Sequence, residues 1–181
     1  MVLHEYIPQK DPKRAGGLLI VLIAAAVGFF AFPMLYPDMP LRWVFQFSGL
    51  LCLVAIIFIS TRYISRAVVY RLIENDEGGV DFTVTEVTNG GKSAITVCRF
   101  SLDNIQSAQL FFSDKKEDAE RKKAFSGRAR ELKVKTFSYF GDVMPSVECW
   151  VICKENGETL LVKTTPDEYI WECFKKSADK S

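Results

Sequence analysis

Apolar and polar residues divide this chain into long uncharged runs, then alternating segments, then one amphipathic end. Ala15 to Leu35, "AGGLLIVLIAAAVGFFAFPML", carries no charge over 21 positions. At about 1.5 Å of rise per residue such a helix covers roughly 31 Å, the hydrocarbon thickness of a bilayer. A second uncharged run, Trp43 to Thr61 ("WVFQFSGLLCLVAIIFIST"), covers about 28 Å by the same rule. Lys10, Lys13 and Arg14 precede the first run as they would a signal peptide, but the run is too long for an h-region and "FPML" is a poor cleavage site. Two runs joined by the turn-forming "YPDMPLR" predict a membrane-spanning helical hairpin, with Pro33 tolerated near the end of its first helix.

Beyond Arg62 the period drops to two. "AVVYRLIE" (Ala67 to Glu74), the turn "NDEGG" and "VDFTVTEV" (Val80 to Val87) read as strand, turn, strand. The turn "TNGGK" leads to "AITVCRF" (Ala94 to Phe100), and a fourth strand is expected over Ser107 to Ser113. A polar insertion, "DKKEDAERKKAFSGRARE", follows. Strands resume at Leu132 to Phe140, Val147 to Lys154 and Thr159 to Thr164. In "TPDEYIWECFKK", Thr165 as N-cap, Pro166 at N1 and Glu168 at N3 suggest a capped helix. Tyr169, Ile170, Cys173 and Phe174 share one of its faces, and Lys175 and Lys176 suit its C-terminal dipole. The organisation predicted is a cytoplasmic N-terminal tail over 1–14, a transmembrane hairpin over 15–61 (helices about 15–35 and 43–61), and a cytosolic domain over 62–181.

Seven mostly antiparallel strands and a closing helix, with "VKTTPDEYIWECF" running from the last strand into that helix, resemble a pleckstrin-homology-like domain. With the hairpin in front, the chain is similar to bacterial membrane proteins carrying a PH-like domain. The resemblance implies a fold of a membrane α-helical hairpin plus a mainly-β (α+β) cytosolic domain. That domain would be a seven-stranded antiparallel sandwich or barrel, one open end plugged by the helix. Phosphoinositide-binding members place basic residues around the first hairpin. Here that turn, "ENDEGG", is acidic, so the resemblance carries over no headgroup specificity.

Charge sets the expected orientation. Lys10, Lys13 and Arg14 flank the first run, and Arg62, Arg66 and Arg71 follow the second, against Arg42 alone in the connector. By the positive-inside rule both termini face the cytoplasm, in a multi-pass protein of the cell membrane, with Tyr36 and Trp43 anchored at the outer interface. Five cysteines, an odd number with Cys52 inside a span, agree with a reducing compartment.

Catalytic constellations are nearly absent, and a non-enzyme is expected. The one histidine, His4, precedes the hairpin and reads as a solvated tail residue, so no Ser-His or Cys-His pair is expected in the domain. Cys149 and Cys153, four apart in a strand, read as core thiols rather than metal ligands, and neither metal nor cofactor is expected. The feature left over is "ERKKAFSGRARELKVK", Glu120 to Lys135, with seven basic residues against two acidic ones. Residues 62–181 are otherwise neutral, holding 19 basic and 19 acidic side chains.

Arg121, Lys122, Lys123, Phe125, Arg128 and Arg130 are the candidate anionic-surface contacts on a loop over 120–130. That stretch reads equally as a solvated loop neutralised by the acidic residues before it, or as a short salt-bridged helix. It also reads as a nonspecific contact with the anionic inner leaflet, Phe125 inserting, or as a surface for a protein partner. Nucleic acid is disfavoured by the domain's neutrality. Protein interaction or regulation at the inner membrane surface is the expected function, with lipid sensing by the basic loop as the alternative.

Overall fold

The alternating segments form strands, and they pair with one strand more than the alternation announces. The computed structural model describes residues 1–36, 38, 41–88, 93–132 and 134–180. Two compact units result: Lys10–Arg66, and Met1–Gln9 together with Ala67–Ser181. The expected turn at 89–92 and part of the connector, 37 and 39–40, lie outside the described residues.

The first unit is the helical hairpin. Helix α1 (Pro12–Leu35) and helix α2 (Arg42–Ile59) are followed by a π-helical turn, Ser60–Ile64. Both helices are long and apolar enough to cross a membrane, with mean hydropathy 2.7 over Ala15–Leu35 and 2.2 over Arg42–Ile64. Aromatic rings hold them together: Phe45 lies 6.2 Å from Phe29 and 5.6 Å from Phe32. Gly49 is their point of close approach, since a Cβ there would come within 2.8 Å of the Phe30 ring. At the open end, Lys10 Nζ donates to the carbonyl oxygens of Tyr63, at 2.7 Å, and Arg66. Carbonyls at a helix exit lack intrahelical donors and carry the negative end of its dipole, so a lysine satisfies both needs.

The second unit is a β domain with two four-stranded sheets. Its first strand, β1 (Val2–Tyr6), lies in the segment expected to be a free tail. It pairs antiparallel with β2 (Arg66–Glu74), matching Glu5 to Arg71 and Tyr6 to Tyr70. The Arg71 guanidinium donates to Glu5 at 2.6 Å across that pair. The boundary at residue 14 is therefore corrected: Met1–Gln9 belongs with the β domain. His4 is corrected with it, because its Nε2 lies 2.7 Å from the Asp167 carboxylate and its ring 4.7 Å from that of Tyr169. The neighbouring strand β3 (Val80–Thr88) pairs antiparallel with β4 (Ser93–Ser101), giving the sheet order β1-β2-β3-β4. Asn75 builds the β2–β3 turn by accepting from the backbone N–H groups of Glu77 and Gly79.

The second sheet has the order β5-β7-β8-β6. Strands β5 (Ile105–Phe112), β7 (Val147–Glu155) and β8 (Glu158–Thr164) form an antiparallel series. The β7–β8 turn puts Asn156 at φ 51° and Gly157 at φ 80°, the left-handed pair that two-residue hairpins favour. Between β5 and β7 the chain forms helix α3 (Lys116–Glu131) and the short strand β6 (Lys135–Ser138). The latter runs parallel to β8, where an antiparallel partner was expected.

The core lies between the sheets. Tyr70 and Leu72 of β2, Phe82 and Val84 of β3, and Cys149, Val151 and Cys153 of β7 form one buried cluster. Helix α4 (Glu168–Ala178) adds Ile170 and Phe174, both fully buried. The Phe174 ring meets Phe82 edge-on at 5.0 Å. Tyr169, expected on the same apolar face, is instead 52% exposed. The cap also differs: Asp167 is the N-cap and accepts from Ile170 N at 3.0 Å. Thr165 faces inward instead, its backbone N–H donating to the Tyr70 hydroxyl at 3.2 Å. Asp167 thus serves α4 and β1 together. Asp167→Ala removes a helix cap and the His4 partner at once, and should cost about 1 kcal/mol of stability in denaturant titrations of the full chain. An unchanged unfolding midpoint would show that Asp167 anchors neither element.

Candidate functional site

The expected loop over 120–130 is the body of α3. Its residues suit a helix: alanine, glutamate, lysine and arginine predominate, with Glu117 and Asp118 in the first turn and Arg128 and Arg130 in the last. Acid at the start and base at the end is the order that complements a helix dipole. The asymmetry of "ERKKAFSGRAR" is thus partly the charge pattern of the helix itself.

One face of α3 lies on the outer side of the second sheet. Phe125 is 3% exposed, so its expected insertion at a membrane interface is corrected: the ring packs inward. It meets Phe111 edge-on at 6.1 Å and Trp150 at 6.1 Å, and Ala129, Ile152 and Leu161 complete this second cluster. The run "CWVIC", Cys149 to Cys153, is buried throughout because alternate side chains enter two different cores. That uninterrupted apolar run was the signal in the sequence that something must cover the sheet's far side.

Polar groups fix the helix in place. Asp118, 3% exposed, accepts from Phe112 N–H at 2.7 Å and from Arg121 at 2.8 Å. The Phe112 N–H, and then Arg121, hold its carboxyl below the usual carboxylate range against the opposing effect of burial. Lys122 Nζ lies 2.8 Å from Glu148 Oε1, and the other oxygen of Glu148 accepts from Trp150 Nε1 at 2.9 Å. Lys163 Nζ sits 3.6 Å from the centre of the Trp150 ring, where loss of water lowers its pKa.

The six candidate contacts therefore divide. Phe125 is core, while Arg121 and Lys122 are engaged by Asp118 and Glu148. Lys123, Arg128 and Arg130 are exposed, and none of them has an ion-pair partner among the described residues. The cationic surface is narrower than the sequence suggested, with Lys123 at the middle of α3 and Arg128 and Arg130 in its last turn.

Thiol chemistry has little foothold in the domain. Cys149 and Cys153 are buried in the core, burial pushing the Cys153 thiol up to about 12 and the Cys149 thiol also well above its ordinary value. Among the described residues no three His, Cys, Asp or Glu side chains gather as a metal site would require. Comparison of the chain with protein-family models, characterised proteins and solved structures finds no match.

Asp118 gives the helix a pH signature. A lowered folded-state pKa contributes stability above the unfolded value, about 3.9, and that contribution is lost as pH falls through the folded value. The stability difference between the parent chain and Asp118→Asn should be constant above about pH 5 and vanish under stronger acid. Parallel curves across the whole range would contradict the assigned role.

Proposed function

We propose that this chain is a two-span integral membrane protein whose PH-like β domain serves as a non-catalytic interaction or regulatory module at the cytoplasmic surface. The observation that carries the reading is the pairing of β1 with β2. These neighbouring strands bracket the hairpin, β1 preceding α1 and β2 following α2. A pair of hydrogen-bonded strands cannot lie on opposite sides of a bilayer. If the hairpin spans, both of its ends return to one side, in agreement with the lysines and arginines that flank it. The exposure of both helices also favours lipid contact over burial in a soluble core, since only 11% and 6% of their apolar windows are buried.

The PH-like reading draws support from strand order. Four strands follow in sequence across one sheet, three form an antiparallel series in the other, and α4 contributes two buried side chains to the core between them. The α3–β6 segment is then an insertion in the second sheet. The first connection of the sandwich, from β1 to β2, is then the membrane hairpin itself. In this reading the place where phosphoinositide-binding PH domains gather lipid headgroups is taken by a covalent anchor, and the domain's remaining surface is free for partners.

Lys123, Arg128 and Arg130 favour a second reading, nonspecific contact with anionic lipid, where each cation near the surface contributes about 1 kcal/mol. Two experiments address the topology and the lipid reading in turn. Single cysteines at positions 38 and 179, in a chain otherwise free of cysteine, should label from opposite faces of the membrane, with 179 reached from the cytoplasmic side only. Labelling of 179 from outside would overturn the topology. In nanodiscs, acylation of Lys123 that drops when anionic lipid is added supports the lipid reading, and equal acylation removes it.

A further inference from the structure

We propose that a second copy of this chain docks on the outward face of α2, with Gln46 hydrogen-bonded to its counterpart across a two-fold axis. The inference rests on the membrane-spanning reading. Gln46 is the one carboxamide in either uncharged run. It is exposed, and its side chain has no hydrogen-bond partner among the described residues. The other face of α2 is already occupied: Phe45 packs on Phe29 and Phe32, and Gly49 is buried against Phe30. Gln46 lies about 6 Å along the helix axis from Arg42, one turn inside the span. Lipid tails offer neither donor nor acceptor, and polar side chains within a span bond across to other helices.

The residues around Gln46 have the spacing of a helix-helix seam. Trp43, Gln46, Leu50, Leu53 and Ile57 recur at intervals of three and four, the a/d pattern of two packed helices. All are exposed: Trp43 67%, Leu50 52%, Leu53 41% and Ile57 63%, and Gln46 with them. Leu50, Leu53 and Ile57 would be ordinary lipid-facing residues without the amide. A single amide within an apolar seam is the device that fixes register and favours two strands over more. The occupant follows from the chemistry. A carboxamide both donates and accepts, so it is its own complement, and a two-fold axis brings position 46 against position 46.

The test uses the full chain in liposomes at low protein density, with dimer content read by single-molecule photobleaching. The parent chain should be dimeric, Gln46→Leu should weaken the dimer at least tenfold, and Gln46→Asn should retain it. Helical content by circular dichroism should be alike in all three, since neither change touches the α1 contact. A monomeric parent chain would overturn the proposal. So would a Gln46→Leu chain that dimerises as strongly as the parent, or a Gln46→Asn chain as weak as Gln46→Leu. Sedimentation separates this from the reading beneath it. Protein that stays soluble without detergent defeats the membrane assignment, whereas protein that sediments with membranes but is monomeric defeats only the dimer.

Discussion

The ladder between Val2–Tyr6 and Arg66–Glu74 is the constraint on which the rest of the molecule depends. It joins the segment before the hairpin to the segment after it, so the hairpin is an excursion from within a sheet. Each end of the excursion is tied. The Lys10 ammonium satisfies carbonyls at the exit of the second helix, and the Glu5–Arg71 pair crosses the first two strands. Asp167 extends the tie to the far end of the chain, since one carboxylate caps the last helix and also holds His4. Residues distant in sequence thus depend on one edge strand, and a piece beginning at Arg62 would lack it.

The second sheet follows a different logic. Its middle strand buries side chains on both faces, so it needs cover on both. The first sheet and α4 meet one face through Phe82, Phe100 and Phe174, and α3 meets the other through Phe125 and Ala129. This explains why a helix that is polar along most of its length is stable. Few apolar residues suffice when Asp118 is bonded to the end of β5 and Lys122 to Glu148. The same economy limits the cationic surface, because two of its five basic side chains are spent on holding the helix down.

How much of this was legible follows from where each signal lies. The two uncharged helices, the seven alternating strands and the last helix announce themselves through runs of local pattern. The strand "VLHEY" does not: it is five residues long, mixes polarity, and its partner lies beyond the whole hairpin. Helix α3 was legible only as one of two alternatives, for another reason. Its buried positions, Asp118, Phe125 and Ala129, include only two apolar residues, too narrow a stripe to register as amphipathic. The continuous apolar run "CWVIC" held the missing information, though on the partner strand instead of the helix. Cap choice within "TTPDE" turned on one position: Asp167 is directly before the helix, and Thr165 is drawn to the Tyr70 hydroxyl. The parallel pairing of β6 with β8 had no local signal at all.

The basic stretch changes meaning, from a loop with five cations to part of a helix in which only Lys123, Arg128 and Arg130 of those five are exposed without ion-pair partners among the described residues. Its charge order serves the helix first, and any external contact is made with what remains. The rest of the molecule still depends on the first ladder. Amide hydrogen exchange over Met1–Tyr6, in the full chain held in detergent micelles, tests it most directly. Protection of Val2–Tyr6 approaching that of Ala67–Glu74 is the expected result. Exchange of Val2–Tyr6 at the rate of a free peptide, with Ala67–Glu74 protected, would contradict it.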